Sequence, residues 1–445
     1  SMLLVGCAQM TEPQLAKVDM QAVPVADQAE KVDLPNWQAF FQDATLKQLI
    51  ETGLTQNRDL RMAVARVSEA RALYGISLAD RLPSVDGVVG ATRSSTPADV
   101  SPMRKRTDAT TGNIQVSLPS YEFDFWGRIA SLNQSALATF LASEANVKAL
   151  RLSLMGDIAN SYFQWQETNE RLRLLTETLA NRTDFLSLIE KRLNAGVAID
   201  TERLQAQAIV DGLKRDIAEV QRQQTIAQHA LSLLVGVPQA QLPSLKATSQ
   251  QLTLSLADNL PSTLLLQRPD VQSAEKSLAS AEANVKAARA AFFPRIALTG
   301  NYGTASSSLD GLFANNSDMW SFTPQITLPI FNSGRTQANL DVAAARQVSA
   351  VASYEKTLQT AFKEVADALS NRASYLTQLS HQQTLLNSQQ QRLSLSEKRY
   401  TNGLASYLEV LDAQRECQTA EQQLAQLKYA QQLAEVQVFK AMGGG

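Results

Sequence analysis

The sequence predicts a mixed α and β protein, mostly α, made of two copies of a unit in which a β-hairpin leads into a very long helix. Three observations predict it. The stretch from Arg335 to Asn402 contains neither glycine nor proline and lies between Gly334 and Gly403, so nothing local interrupts a helix. Within it Val351, Leu358, Val365, Leu379, Leu386, Leu393 and Tyr400 recur every seventh residue, broken only by Arg372. That repeat marks a helix whose seam stays against a neighbour for many turns. The stretch also occurs twice: Gly127 and Gly196 are 69 positions apart, as are Gly334 and Gly403, and the two pairs are offset by 207.

Moving the seam back by 207 lands on Ile158, Trp165, Leu172, Leu179, Leu186 and Leu193. Flanking landmarks repeat too: WGR at Trp126–Arg128 answers SGR at Ser333–Arg335, and EKRLNAG at Glu190–Gly196 answers EKRYTNG at Glu397–Gly403. A period of 207 is too long for a solenoid, so each half is a full structural unit. At 1.5 Å rise per residue each long helix is about 100 Å long, the length of a tube wall or spacer rather than of a globular core.

In chain order, residues 1–44 form a terminal strap. It contains Leu4-Val5-Gly6-Cys7, which resembles a bacterial lipobox whose cysteine carries lipid, preceded by Ser1-Met2-Leu3 alone. The first repeat spans 45–236. Apolar residues from Leu46 to Leu73 predict a helix over 45–81, stopped by Leu82-Pro83. Val85, Gly87, Val89 and Ala91, then Ile114, Val116 and Leu118, alternate with polar residues and predict a hairpin over 84–118, ended by Pro119. The long helix follows over 127–194, turns at Ala195–Asp200, and returns over 201–234. Pro238, Pro243 and Pro261 mark a junction, 237–262. The second repeat, 263–445, replays the order: a helix over 270–291 stopped by Phe293-Pro294, a hairpin over 295–330, the long helix over 335–402 and a return helix over 406–442.

Composition removes several function classes. The net charge is −2 and no basic stripe stands out, so nucleic acid is not an expected partner. Cys7 and Cys417 cannot build a disulfide framework, and His229 and His381 lack neighbours at metal-ligand spacing. No P-loop occurs, and the closing Gly443-Gly444-Gly445 follows a helix rather than opening one. We expect no cofactor, no metal and no enzymatic activity, since both histidines fall among glutamines on predicted helices and Cys417 sits mid-helix as a packing residue. No window suits a transmembrane helix, but β-barrels cross membranes on weaker signals.

The four strands carry such signals. One face of each is apolar, with Tyr302, Trp320, Phe322 and Phe123 available as membrane-interface aromatics; the other carries Ser, Thr, Gln and Asn, which suit a watery lumen. Four strands cannot close a barrel or hide their edges, so closure requires several copies, and three would supply twelve strands. A cytoplasmic coiled-coil scaffold would explain the heptads but would have no use for these strands.

The sequence resembles the outer membrane factors of Gram-negative bacteria, the TolC-like and OprM-like channel tunnels. The residues that carry the resemblance are Trp37-Gln38-Ala39-Phe40-Phe41, Asn57-Arg58-Asp59-Leu60-Arg61, Gln267-Arg268-Pro269-Asp270-Val271, Ala288–Pro294, Tyr407–Arg415 and Ala441–Gly445. The resemblance implies a homotrimer, with a long-helix α-barrel continuous with a transmembrane β-barrel completed by trimerisation. It implies an exit duct for drugs or other small toxic compounds in a tripartite efflux pump, partnered by a periplasmic adaptor and an inner-membrane transporter and set in outer membrane lipid; a duct for protein (type I) secretion is the alternative. It makes Cys7 the lipid site and sets the tip turns, with Gly196, Asp200, Gly403 and Tyr407, against the adaptor. Leu408, Asp412 and Arg415 share a helix face and, by the resemblance, form a periplasmic gate, ringed about the threefold axis and latched by bonds between subunits. Their counterparts 207 residues earlier are Thr201, Gln205 and Ala208.

Overall fold

The computed structural model describes residues 36–243, 252 and 262–444. Cys7 lies outside them. The chain runs α1 (Trp37–Phe40), α2 (Ala44–Gln56), α3 (Arg58–Ala79), β1 (Asp86–Thr96), β2 (Thr107–Phe123), α4 (Arg128–Asn194), α5 (Asp200–Val235), α6 (Pro269–Ala290), β3 (Arg295–Ser306), β4 (Asp318–Thr327), α7 (Arg335–Thr401) and α8 (Tyr407–Ala441). It forms two compact units. One consists of Arg66–Glu144 and Ser273–Glu355; the described part of the other is 36–65, 145–243, 252, 262–272 and 356–444.

Both long helices contain 67 residues. Each is preceded by a glycine in the left-handed region, Gly127 at φ +70° and Gly334 at φ +81°. Their C-termini are alike as well. Gly196 N–H donates to the Leu193 carbonyl (2.9 Å) and Val197 N–H to that of Arg192 (2.9 Å); Gly403 N–H donates to Tyr400 (3.0 Å) and Leu404 N–H to Arg399 (2.8 Å). This paired pattern satisfies carbonyls that a helix end leaves open, and it requires positive φ at the glycine.

The first unit holds a four-stranded antiparallel sheet in sequential order, β1-β2-β3-β4, so β1 and β4 are its edges. The register sorts its faces. Val89 and Ile114 are paired, as are Val116, Tyr302 and Trp320 across three strands, and Leu118, Gly300 and Phe322. These rows share the apolar face, and Val89, Val116, Tyr302, Trp320, Phe322 and Ile326 are all exposed. On the polar face the Ser117 hydroxyl donates to Asn301 Oδ1 (2.7 Å) and Asn301 Nδ2 donates to Ser321 (3.1 Å). Pro119 does not end the hairpin. β2 continues to Phe123 through a register shift between Leu118 and Tyr121, where the proline's missing N–H costs no ladder bond. The second hairpin stops at Thr327, short of the expected 330, and Pro324 sits in edge strand β4. Below the sheet, α4 packs on α6 through small side chains: Ser135 and Ser280 oxygens are 2.8 Å apart, and Ser273 donates to the Ala142 carbonyl (3.1 Å).

The second unit is helical. The segment expected as one helix over 45–81 is two, because Asn57 breaks it. Its side-chain oxygen caps α3 at Leu60 N–H (2.9 Å), while its amide donates to the Leu234 carbonyl near the end of α5 (2.8 Å). The main core gathers Phe40, Phe41, Leu46, Ile50, Ile158, Tyr162 and Phe439, with Phe40 stacked on Phe439 at 4.4 Å. Asp43 caps α2 at Leu46 N–H (2.9 Å) and accepts from the Tyr162 hydroxyl (3.0 Å). Burial, and then the Asp43 charge, push the Tyr162 phenol well above the usual tyrosine range.

The break in the α7 seam also has a cause. Arg372 Nε donates to Glu435 of α8 (2.9 Å), a carboxylate only 1% exposed, where the first repeat has the buried Trp165.

Candidate functional site

Two features of the molecule have the chemistry of a channel, one in each unit. In the first unit it is the apolar sheet face. From the row Phe123–Ile296–Ile326 to the row Val116–Tyr302–Trp320, its side chains include no charge. The interval Ile296 to Tyr302 covers about 20 Å along a strand at ~3.4 Å per residue, most of the ~25 Å apolar band of a membrane barrel. Charges on this face, Arg93, Asp108 and Asp318, lie only at its loop end. Aromatics sit at separate levels of the band: Phe123 at the helix end, Phe322 within it, and the Tyr302–Trp320 pair about 20 Å from Phe123 by the same rise. Among the described residues no helix is long and apolar enough to cross a membrane.

In the second unit the feature is the helical tip. Here α4, α5, α7 and α8 converge on a core of Leu186, Ile189, Ala206, Val210, Tyr407 and Val410. Tyr407, expected as an adaptor contact, is 5% exposed and stacked on Phe185 at 4.5 Å. It supports the turn from behind, and burial raises its phenol above the ordinary range. Arg192 Nη1 donates to the Tyr400 hydroxyl (2.6 Å), tying one long helix to the other. Asp200 lies in the first turn of α5, paired with Arg203 (2.7 Å) and well exposed.

The expected gate residues do share one face of α8. Leu408 is 68% exposed. Asp412 has partners within its own chain. Arg392 of α7 donates to one carboxylate oxygen and Arg415 to the other (2.9 Å); Arg415 also reaches Glu416 (3.2 Å). A neighbouring cavity of about 320 Å³ is lined by Arg182, Ile209, Leu408, Leu411, Asp412 and Arg415. Burial lowers the Arg182 pKa from its ordinary value.

The sequence reading missed Arg392, Arg182 and the exposed pair Val197 and Leu404. The last two could have been found: they are apolar, 207 apart, and each directly follows a turn glycine. Arg392 gave no local signal, since it meets Asp412 only after the chain has turned. Cys417 is buried beside Leu386 and Leu424, and burial followed by Glu421 pushes its thiol up to about 11, so it is an inert packing group. His229 and His381 are exposed, and no cluster suited to a metal ion occurs among the described residues.

An uncharged strand face and long heptad helices with a shared tip define a membrane channel of the outer membrane type. The comparisons specify it further. The family model for outer membrane efflux proteins matches residues 49–237 and 260–444. The solvent efflux pump outer membrane protein SrpC of Pseudomonas putida is 41% identical over 100% of this chain and 96% of its own length. The cation efflux system protein CusC of Escherichia coli K12 is 41% identical over 94% of this chain and 90% of its own. The crystal structure of a membrane protein from Pseudomonas aeruginosa superposes with a TM-score of 0.91 at 37% identity, covering 97% of each chain. The chain belongs to the outer membrane efflux protein family, and its fold is that of the family's channels.

Proposed function

We propose that this protein is the exit duct of a tripartite efflux pump, a passive homotrimeric channel in the outer membrane that reaches into the periplasm. The observation that carries the reading is the uncharged apolar sheet face bounded by two unpaired edge strands. Pairing β4 of one copy with β1 of the next satisfies both edges, and three copies supply twelve strands. The long helices of the repeats would then form the α-barrel; most of the expected junction 237–262 lies outside the described residues. A periplasmic adaptor docks at the tip, and an inner-membrane transporter supplies the energy. SrpC is named for solvent efflux and CusC for cation efflux; small toxic compounds are the substrate class that suits this chain. Cys7 would carry the lipid that anchors the N-terminus.

Light scattering corrected for detergent should report a trimer, and a stable folded monomer would overturn the assembly. Full-length protein made in a Gram-negative cell should incorporate labelled palmitate, and Cys7→Ser should abolish the label; persistence of the label would remove Cys7 as the site.

The gate is read as Leu408, Asp412 and Arg415 gathered about the threefold axis, Leu408 as an apolar collar and the charges as a latch. The intrachain partner Arg392 shares the Asp412 carboxylate, so the latch includes a group on α7 and pulls on two helices at once. In planar bilayers Asp412→Ala with Arg415→Ala should raise conductance and reduce cation preference. Wild-type values for both would remove these residues from the gate.

A further inference from the structure

The β1–β2 hairpin reaches further than its neighbour. Its pairing runs to Thr96–Thr107, whereas β2 leaves β3 at Gly112–Ser306. The extra five residues extend it about 17 Å at ~3.4 Å each, on the side away from the helices. Its loop is folded: the Ser101 hydroxyl is buried 3.1 Å from that of Thr107, and Arg104 N–H donates to the Ser101 carbonyl (2.9 Å). From it project Val100 and Met103, 74% and 79% exposed, directly beside Arg104, Lys105 and Arg106. Arg93, also exposed, lies on the apolar face two residues past Ala91, and Arg106 Nε donates to Ser95 on that same face (3.0 Å). Asp99 and Asp108 offset part of this charge, leaving +2 over Arg93–Asp108. The second hairpin has no Lys or Arg between Arg295 and Arg335, only Asp310 and Asp318. The duplication has therefore made one of its two hairpins cationic, at the outer edge of the uncharged band.

We propose that Arg93, Arg104, Lys105 and Arg106 form a docking surface for the phosphorylated glycolipid headgroups of the outer leaflet. The proposal rests on the membrane reading above. Arginine forks match phosphate oxygens two at a time. Long cationic side chains at the rim of an apolar band extend towards the headgroups, while Val100 and Met103 supply the apolar contact of an interfacial segment. The loop then sets the depth of the barrel in its membrane.

The test uses the full-length trimer and its R93Q/R104Q/K105Q/R106Q variant. Both should incorporate into phosphatidylcholine vesicles, since the uncharged band is untouched and R93Q leaves the backbone of edge strand β1 able to pair; failure of the wild type would refute the membrane reading and the proposal with it. In detergent, fluorescent diphosphoryl lipid A should bind the wild type about tenfold or more tightly than the variant, as loss of several basic contacts to an anionic headgroup requires. Dephosphorylated lipid A should bind both weakly and alike, and inorganic phosphate should not displace the lipid. Equal affinity of the two proteins overturns the proposal, as does displacement by phosphate alone. A variant that no longer forms trimers would assign these side chains to the subunit seam instead, and also overturns it.

Discussion

The two repeats have nearly the same backbone and differ where the chemistry is. Helices α4 and α7 occupy positions that match residue for residue under the offset of 207, and Gly127, Gly196 and Gly236 correspond to Gly334, Gly403 and Gly443, all at positive φ. Their seams differ: a buried Trp165 in one, and Arg372 paired with a buried Glu435 in the other. Their tips differ too, with Thr201, Gln205 and Ala208 opposite Leu408, Asp412 and Arg415. Glycine positions and heptads determine where each helix starts and stops, whereas a few substitutions in one copy supply its charges. A duplicated channel can thus keep one construction and change one half of it.

The largest expected effect tests the seams. Arg372→Leu takes the guanidinium from a buried carboxylate and should cost about 3 kcal/mol or more, read as a lowered thermal midpoint in detergent. Adding Glu435→Leu should recover most of that loss. Trp165→Ala should cost about 3–5 kcal/mol by leaving a cavity, and no charge substitution should rescue it. If the two seams respond alike, the distinction between them fails.

Next come the tips. Tyr407→Ala should destabilise by about 3 kcal/mol, because its ring is packed, while Leu408→Ala one residue later should leave stability within about 0.5 kcal/mol and change conductance instead. Arg392→Ala and Arg415→Ala should both raise conductance, and Gln205→Ala in the other tip should not. Equal responses at Asp412 and Gln205 would remove the asymmetry. Smaller still are the turn glycines. A Cβ at Gly196 or Gly403 would meet nothing within 4 Å, so the cost of alanine is backbone strain alone, about 1–2 kcal/mol at each site and equal in the two repeats.

The smallest effect is acid-linked. Burial alone would raise the Asp270 carboxyl, but the hydrogen bonds and charge of Arg268 outweigh it and hold it below the usual range. Its contribution is therefore present above the unfolded carboxylate pKa and lost as pH falls through the lower folded value. Asp270→Asn should flatten the acid limb of a stability–pH curve slightly, since the aspartate is part-exposed.

How far the sequence could be read follows from these cases. Glycine spacing and heptads report local geometry, so the long helices, their turns and the hairpins were legible. The alternation that sorted Tyr302 and Trp320 from Ser321 is likewise local and agrees with the observed register. Asn57 falls within a family signature, but its role as a cap that also reaches the Leu234 carbonyl depends on a contact 177 residues away. Pro119 was misread because a proline breaks a strand only where its N–H is needed, and a bulge removes that need. The salt bridges of Arg392 and Arg372 join helices that meet only after a turn, and no spacing rule encodes them. Arg268 is similar: its guanidinium donates to the Ala441 carbonyl (2.7 Å) and to Glu364 (2.6 Å), which explains a conspicuous motif that the sequence could name but not interpret.

The Arg372–Glu435 pair has a kinematic consequence. Sliding α7 along α8 by one helical turn, about 5.4 Å, would carry the guanidinium away from a carboxylate that water hardly reaches. The pair acts as a key in a keyway, fixing the axial register of the two helices at its level. A tip that dilates by pivoting keeps that register, and the travel of Asp412 then follows its distance from the pair: its partner Arg392 lies twenty residues, about 30 Å, along α7 from Arg372.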